Sequence, residues 1–532
     1  MNEIKDIAAM PPLTAPHAPA SDTAALFGQP QQNRFSFQPH DAAFAALAPV
    51  LGFLFARYVA DAADGFLTTL FFMLLYACSA VYIRRTGCKP RRSLRILGIV
   101  ICAFTLVFSL TASPLLHGLS FLFLLPAIIW RTHAACGGAG FVTRYFAPDL
   151  CASVVKAPFS HFFAAPYALS SSVKKSPAAS AVKTAVIGVL VTVPLTIVIG
   201  ALLSSADSGI ERIFSHISDL LTDQIMKLIW ELFFGIPVGL WLFAAFYSAA
   251  VRKKADKPFP EDAHYAAKYA KLRIIPNIGL YAGVTPICLM YLIYVISQTN
   301  YFLSAFAGRL PEDMIYSEYA RRGFFELCAI AVINLGVILV LTGCAKKSGT
   351  ARPKVLTAYA AVLCLFTLFI IATALAKMIL YISAYGMTPL RVYTTWFMVL
   401  LAAVFLVLLV RQFTDRMPTA AVLTSVCIVM LAGLCFSRPD ARIAEYNIRR
   451  YEQGTLENLD VSMLCDLSED AYNVMARNRE TLERAGKWDT FLRRAGSRTD
   501  RYEEHPDKSR NLPAQILLQQ LHTDTGNGVL KS

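Results

Sequence analysis

Four ionisable side chains stand inside or at the ends of long apolar runs: Arg57, Glu231, Glu326 and Lys377. In hydrocarbon such groups are costly, so each marks a candidate ion path, substrate site or internal pair. Two cations and two carboxylates sum to zero charge. That balance suits a polar cluster open to an outer vestibule, with Arg57 and Lys377 facing Glu231 and Glu326. The plainer alternative is four separate side chains snorkelling to a nearby interface. The run LPEDMIYSEYARRGFFEL (310–327) adds Glu318 and Arg322, one helical turn apart and therefore able to pair. The run YISAYGMTPLRVYTTWFM (381–398) adds Arg391, which with Tyr385, Tyr393 and Trp396 reads as an aromatic–cationic belt at a tight turn. Interfacial anchoring is the simpler account of both runs.

Other chemistries leave no trace in the residue pattern. The chain has no GxxxxGK[ST] phosphate loop, no HExxH and no GxSxG. No His/Cys set has zinc spacing, and no cofactor, metal site or catalytic residue is expected. Asp61 and Asp64, in DAAD, are the one pair of carboxylates placed where a glycosyltransferase acting on lipid-linked sugars keeps its acidic site. The loop that carries them is about five residues long, too short for that task. Twelve cysteines occur without a CxxC. Most fall in apolar runs, where Cys packs as a small apolar residue, and Cys465 stands alone in the polar tail.

The elements that must position these groups are membrane helices. A helix needs roughly 20 mostly apolar residues to cross a bilayer core, and only helices or closed barrels satisfy their backbone there. About eleven such runs recur, at 42–60, 66–83, 96–112, 115–130, 185–203, 228–250, 276–296, 324–343, 355–376, 392–410 and 418–436. Only 16% of the 532 residues are charged, against about 25% in soluble domains. The fold class is an all-α integral membrane protein, a bundle of about eleven transmembrane helices with a small helical C-terminal appendage. The spacing predicts a turn near Pro114 and His117, the only histidine within these runs. Prolines at 49, 126, 194, 237 and 286 predict kinks. Gly235 and Gly239 flank Pro237 and permit close helix approach. Asn334 and Thr192 are the best polar residues at mid-depth.

The net charge of +14 resides in alternate loops, so it does not argue for nucleic acid as a partner. The connections 1–41, 84–95, 131–184, 251–275, 344–354 and 411–417 hold 27 Lys and Arg; the intervening ones hold 7. The positive-inside bias then places the N-terminus in the cytoplasm and the C-terminus outside. Residues 1–41 read as a disordered cytoplasmic leader rich in Pro and Ala. Residues 42–436 read as the transmembrane domain. Residues 437–532 read as a polar, partly helical extracytoplasmic tail. Helices are expected there from Ser468 to about Ala485 and from Leu512 to Leu521, the latter with Pro513 in its first turn. Residues 204–227 have the apolar spacing of a helix lying flat on the outer interface.

The SAD of Ser205 to Asp207, the YARRGFFEL ending at Leu327, the YGMTPLRVYTTWFM turn and the run RPDARIAEYNIRRY (438–451) carry a family resemblance. The chain is similar to bacterial multi-pass membrane proteins of the domain-of-unknown-function families 4153 and 4173, over most of 35–480. The resemblance implies a membrane location and a shared architecture, with no assigned activity. The function expected is therefore that of a non-enzymatic cytoplasmic-membrane protein, an envelope sensor or accessory subunit. The partners expected are the lipid bilayer and a membrane protein. A secondary transporter with an outward polar vestibule is the alternative, although few ionisable groups lie at mid-depth.

Overall fold

A computed structural model describes residues 37–60, 65–172, 223–254, 262–297, 316–346, 353–414, 416–504 and 511–526, with scattered positions between 188 and 203. Among the described residues the chain is helical, and the sole strand-like feature is one bridge between Ile275 and Ala345. Among the described residues, ten helices are long and apolar enough to cross a membrane. They are α1 (Pro39–Phe55, extended by a wider turn at Ala56–Ala60), α2 (Gly65–Arg85), α3 (Arg92–Thr105, continued by Val107–Leu110), α4 (Pro114–Cys136) and α5 (Asp223–Lys254). Then follow α6 (Asn277–Ser297), α7 (Tyr316–Gly343), α8 (Lys354–Tyr385), α9 (Pro389–Phe413) and α10 (Thr419–Phe436). The expected run 185–203 lies largely outside the described residues, as do the leader before Phe37, DAAD, and the SAD and most of 204–227.

Small residues set the tightest crossing. Antiparallel α1 and α5 meet through Ala48, Gly52, Gly235 and Gly239. A Cβ on Gly52 would fall 1.9 Å from the Gly235 carbonyl oxygen, and one on Gly239 would fall 2.1 Å from that of Ala48. Only glycine lets the two backbones approach so closely, the pattern by which membrane helices associate without a hydrophobic driving force. Pro237 sits inside α5 at this crossing.

Beside a smaller cluster of Ala45, Ala48, Leu240, Phe243 and Tyr247 at the α1–α5 crossing, two larger apolar cores fill the described bundle. One joins α2, α3, α4 and the second half of α5 around Phe72, Leu75, Tyr82, Phe104 and Trp130. The other joins α6 to α9 around Leu327, Ile338, Leu363 and Phe405. Asn334 lies wholly buried in the second, donating to Thr367 at 2.8 Å and accepting from Tyr291 at 2.7 Å. This mid-depth amide is therefore a satisfied structural group.

The bundle is more polar within than the apolar runs suggest. The fourth run was expected to end near residue 130, but α4 continues to Cys136, so Arg131 and His133 are helical and buried. His117 is accordingly not the only histidine in a span. The last turn of α4 packs against α2, α3 and α5 instead of lipid, which is why polar residues persist there. The Arg131 guanidinium lies 4.8 Å from the Tyr76 ring, and the His133 ring nitrogen Nε2 is 3.0 Å from the Ala245 carbonyl.

The tail is a helical body with a core of its own. It comprises α11 (Pro439–Glu452), α12 (Val461–Cys465), α13 (Glu469–Arg477), α14 (Arg479–Arg484), α15 (Trp488–Glu504) and α16 (Leu512–Gly526). The expected helix from Ser468 breaks at Asn478, and α11, α12 and α15 lie where no helix was read. Tyr472, Phe491, Leu464, Ile448 and Leu517 pack together in its centre. Cys465 is buried there, and burial pushes its thiol pKa up.

Candidate functional site

Of the four charges of the apolar runs, Arg57 and Glu231 form an ion pair, while Lys377 and Glu326 are neighbours. Arg57 donates to Glu231 at 3.2 Å. The crossing at Gly52 and Gly235 dictates this: Arg57 is five residues beyond one glycine, Glu231 four before the other, and the helices run antiparallel. Arg57 is 45% exposed and Glu231 only 6%. Glu231 Oε1 is buried without a hydrogen-bond partner among the described residues. Lys377 and Glu326, on α8 and α7, lie within electrostatic reach of each other. Glu318 and Arg322 sit on the first turns of α7, with side chains outside the described residues.

Arg391 does something other than line a belt. It sits in the first turn of α9, lies 3.9 Å from the Tyr381 ring and donates to the carbonyls of Tyr385 (3.1 Å) and Gly386 (2.5 Å). These carbonyls end α8, so Arg391 closes that helix. Gly386 has a φ of 78°. The same turn is gripped from the tail. Asn447 of α11 accepts from Met387 N and donates to Met387 O, both at 2.7 Å, and Arg450 donates to Ser383 O at 2.7 Å.

A second contact joins the bundle to the tail through buried carboxylates. Asp470, in the first turn of α13, has no exposed surface. Its Oδ2 accepts from the Thr111 hydroxyl (2.7 Å) and the Ala112 amide (3.2 Å), in the turn between α3 and α4. Its Oδ1 accepts from Arg438 Nε (2.8 Å) and Nη2 (2.5 Å), in the link between α10 and α11. Arg438 adopts a left-handed φ of 52°, alone among described residues other than glycine. That conformation costs roughly 1 kcal/mol. It aims the guanidinium back at Asp470, and Pro439 can then start α11.

Asp440 lies next to this pair. It accepts from the Ser468 hydroxyl at 2.6 Å and the Ser468 amide at 3.3 Å, with Ser113 and Tyr393 beside it. Burial pushes its carboxyl pKa above the usual 3.8, outweighing the Ser468 bonds that pull it down. Deeper in the tail, Arg498 donates to Glu469 (2.6 Å) and to Leu467 O (2.7 Å). Burial opposes its charge, but Glu469, Tyr472 and Tyr502 together more than offset this and hold the guanidinium pKa above its usual value.

Sequence reasoning missed Asp440, Asp470 and Arg438 because Ser468, Glu469 and Asp470 read as a local helix start. The Ser468 side chain makes no cap bond in α13; it turns to Asp440. The available signal was the charge-rich run RPDARIAEYNIRRY directly after the last span.

A family model described as a domain of unknown function, DUF4153, matches residues 98–478. The chain belongs to the DUF4153 family. The match runs from α3 through the last span and across α11 to the end of α13. The DUF4153 region thus contains both sides of the junction, Thr111 and Tyr393 from the bundle and Arg438, Asp440 and Asp470 from the tail. No curated protein and no solved structure matches the chain.

Proposed function

We propose that this is a non-enzymatic multi-pass protein of the cytoplasmic membrane. Its C-terminal helical body lies outside and passes its state to the bundle, as an envelope sensor or as the accessory subunit of a membrane complex. The observation that carries this reading is Asp470: a fully buried carboxylate shared between the α3–α4 turn, the α10–α11 link and the tail. A buried charge on one segment whose partners lie on two others couples the positions of all three, because separating them leaves it short of a partner. Alternate basic loops support a cytoplasmic N-terminus.

Two measurements test this. An alkaline phosphatase fused after Ser532 should be active in living bacteria, and the matching green-fluorescent fusion dark; the reverse pattern refutes the orientation. In a deletion strain, wild-type protein should restore the envelope-stress response, while Asp470→Ala, inserted at equal level, should not. Full rescue by Asp470→Ala would remove the coupling role.

A second reading is favoured by Glu231. Its buried, half-satisfied carboxylate beside the exposed Arg57 suits an outward-facing secondary transporter. Proton movement in proteoliposomes, recorded with a pH-sensitive dye and abolished by Glu231→Gln, would favour the carrier over the sensor.

A further inference from the structure

Two cysteines meet at the opposite face of the bundle from the tail. Helix α2 ends at Arg85, and Gly87 follows with a φ of 67°. The Gly87 and Cys88 amides donate back to Arg84 O and Ile83 O, both at 3.0 Å. That is the glycine-capped helix end in which a left-handed residue reverses the chain. Helix α4 ends in a similar way: Gly138 has a φ of 69°, and the Ala139 amide returns to Ala134 O at 2.8 Å. The two caps fix Cys88 just past one helix and Cys136 on the last turn of the other. Their sulfurs lie 2.7 Å apart, although the residues are 48 apart in sequence. The Thr86 hydroxyl stands 3.2 Å from the Cys88 sulfur and 3.7 Å from that of Cys136. The two cysteine residues are 7% and 8% exposed, so small reagents have a narrow approach. The loop 84–95 that carries Cys88 holds six exposed Lys and Arg, a local positive charge that favours an anionic oxidant.

We propose that Cys88 and Cys136 are a redox-active dithiol that closes reversibly to a disulfide, taking its oxidising equivalents from an anionic low-molecular-weight disulfide. One cysteine thiolate displaces a thiolate from that reagent, forming a mixed disulfide. The other cysteine thiolate attacks the protein sulfur and releases the second thiolate. Two protein S–H bonds and one reagent S–S bond become one protein S–S bond and two reagent S–H bonds, with both protons ending on the released thiols. The closed form ties the α2–α3 turn to the end of α4. It also restrains Tyr82, whose hydroxyl donates to Asp41 in the first turn of α1 at 2.9 Å. In the orientation proposed above the pair faces the cytoplasm, where protein disulfides are transient.

The test uses the full chain in detergent, with exposed Cys151 and Cys427 replaced by serine. Twelve cysteines less those two leaves ten. After oxidised glutathione and denaturation, maleimide–polyethylene glycol should add eight tags, and dithiothreitol should restore ten. Peptide mapping should join the segments containing Cys88 and Cys136. Ten tags after oxidant, or a bridge between other cysteines, overturns the proposal. So does a bridge that dithiothreitol cannot open. Cys88→Ser and Cys136→Ser in this background should each keep all nine remaining thiols reactive. If either variant misfolds, the mapped bridge in the parent chain decides alone.

Discussion

Thr111 and Asp470 are 359 residues apart in sequence, and their side chains meet at 2.7 Å where no solvent reaches the carboxylate. This contact turns a bundle and a tail into one connected body. Removing the hydroxyl with Thr111→Val should cost about 1–3 kcal/mol, the penalty for leaving a buried acceptor short of a donor. Asp470→Ala should cost more, since it also releases Arg438 from a backbone conformation held by its bond to the carboxylate. Thermal unfolding in detergent checks both. Equal and additive losses for the two variants would mean that they do not share an interaction.

The Asp440 carboxyl predicts the sign of a pH effect. Its folded pKa is raised by burial above 3.8. Below that ordinary value the group is protonated whether folded or not, and its contribution to stability is fully present. As pH rises through the shifted value, a buried charge must form and that contribution is lost. Asp440→Asn keeps an acceptor for Ser468 but cannot ionise. The variant should match wild type in acid, and its unfolding temperature should decline less as pH rises from about 4 toward neutrality. Parallel pH profiles for the two proteins would contradict this.

The glycine crossing predicts a position-specific cost. Gly52→Ala and Gly239→Ala place a methyl carbon against a backbone carbonyl and should each destabilise by about 1–3 kcal/mol as α1 and α5 are pushed apart. Gly118→Ala, in α4 with open space around it, should be neutral or mildly stabilising, since alanine favours a helix. Urea or thermal titration of the three variants separates a crossing effect from a general intolerance of change.

The same crossing holds Arg57 against Glu231. Separating them by Arg57→Gln should harm the protein more than Glu231→Gln, because the first strands a buried carboxylate while the second leaves a cation that can reach water. Expression level and thermal stability in detergent report the difference. For the other pair, Glu326→Gln should lower stability through Lys377; a wild-type profile would dissolve that pairing.

The sequence was clear where one physical cause acts alone. Apolar runs long enough for a bilayer have one stable solution, so every described span falls close to its expected place. Gly235 and Gly239 were legible as an approach site for the same reason; a turn was expected at Pro114 and His117, and it falls just before them, at 111–113, with both residues in the first turn of α4. What escaped were groups whose partners are distant. Ser468 carries the chemistry of a local cap yet bonds Asp440 across the fold, and Asp470 serves Thr111 and Arg438 in the same way. Arg131 and His133 were assigned to a loop because hydropathy sees lipid where α4 meets protein. Arg391 was noticed for its aromatic company, while its bonds to the end of α8 depend on a backbone turn at Gly386 that residue types do not reveal. Cys88 and Cys136 share no motif, since two separate helix caps bring them together.

Asp470 should make tail and bundle move as one. Hydrogen-exchange mass spectrometry of the full chain in nanodiscs, wild type against Asp470→Ala, tests it most directly. Loss of the shared carboxylate should speed exchange on both sides of the junction, in α11 and α13 and also in the first turn of α4 after the 111–113 turn. Faster exchange confined to α13, with α4 and α11 unchanged, would contradict it.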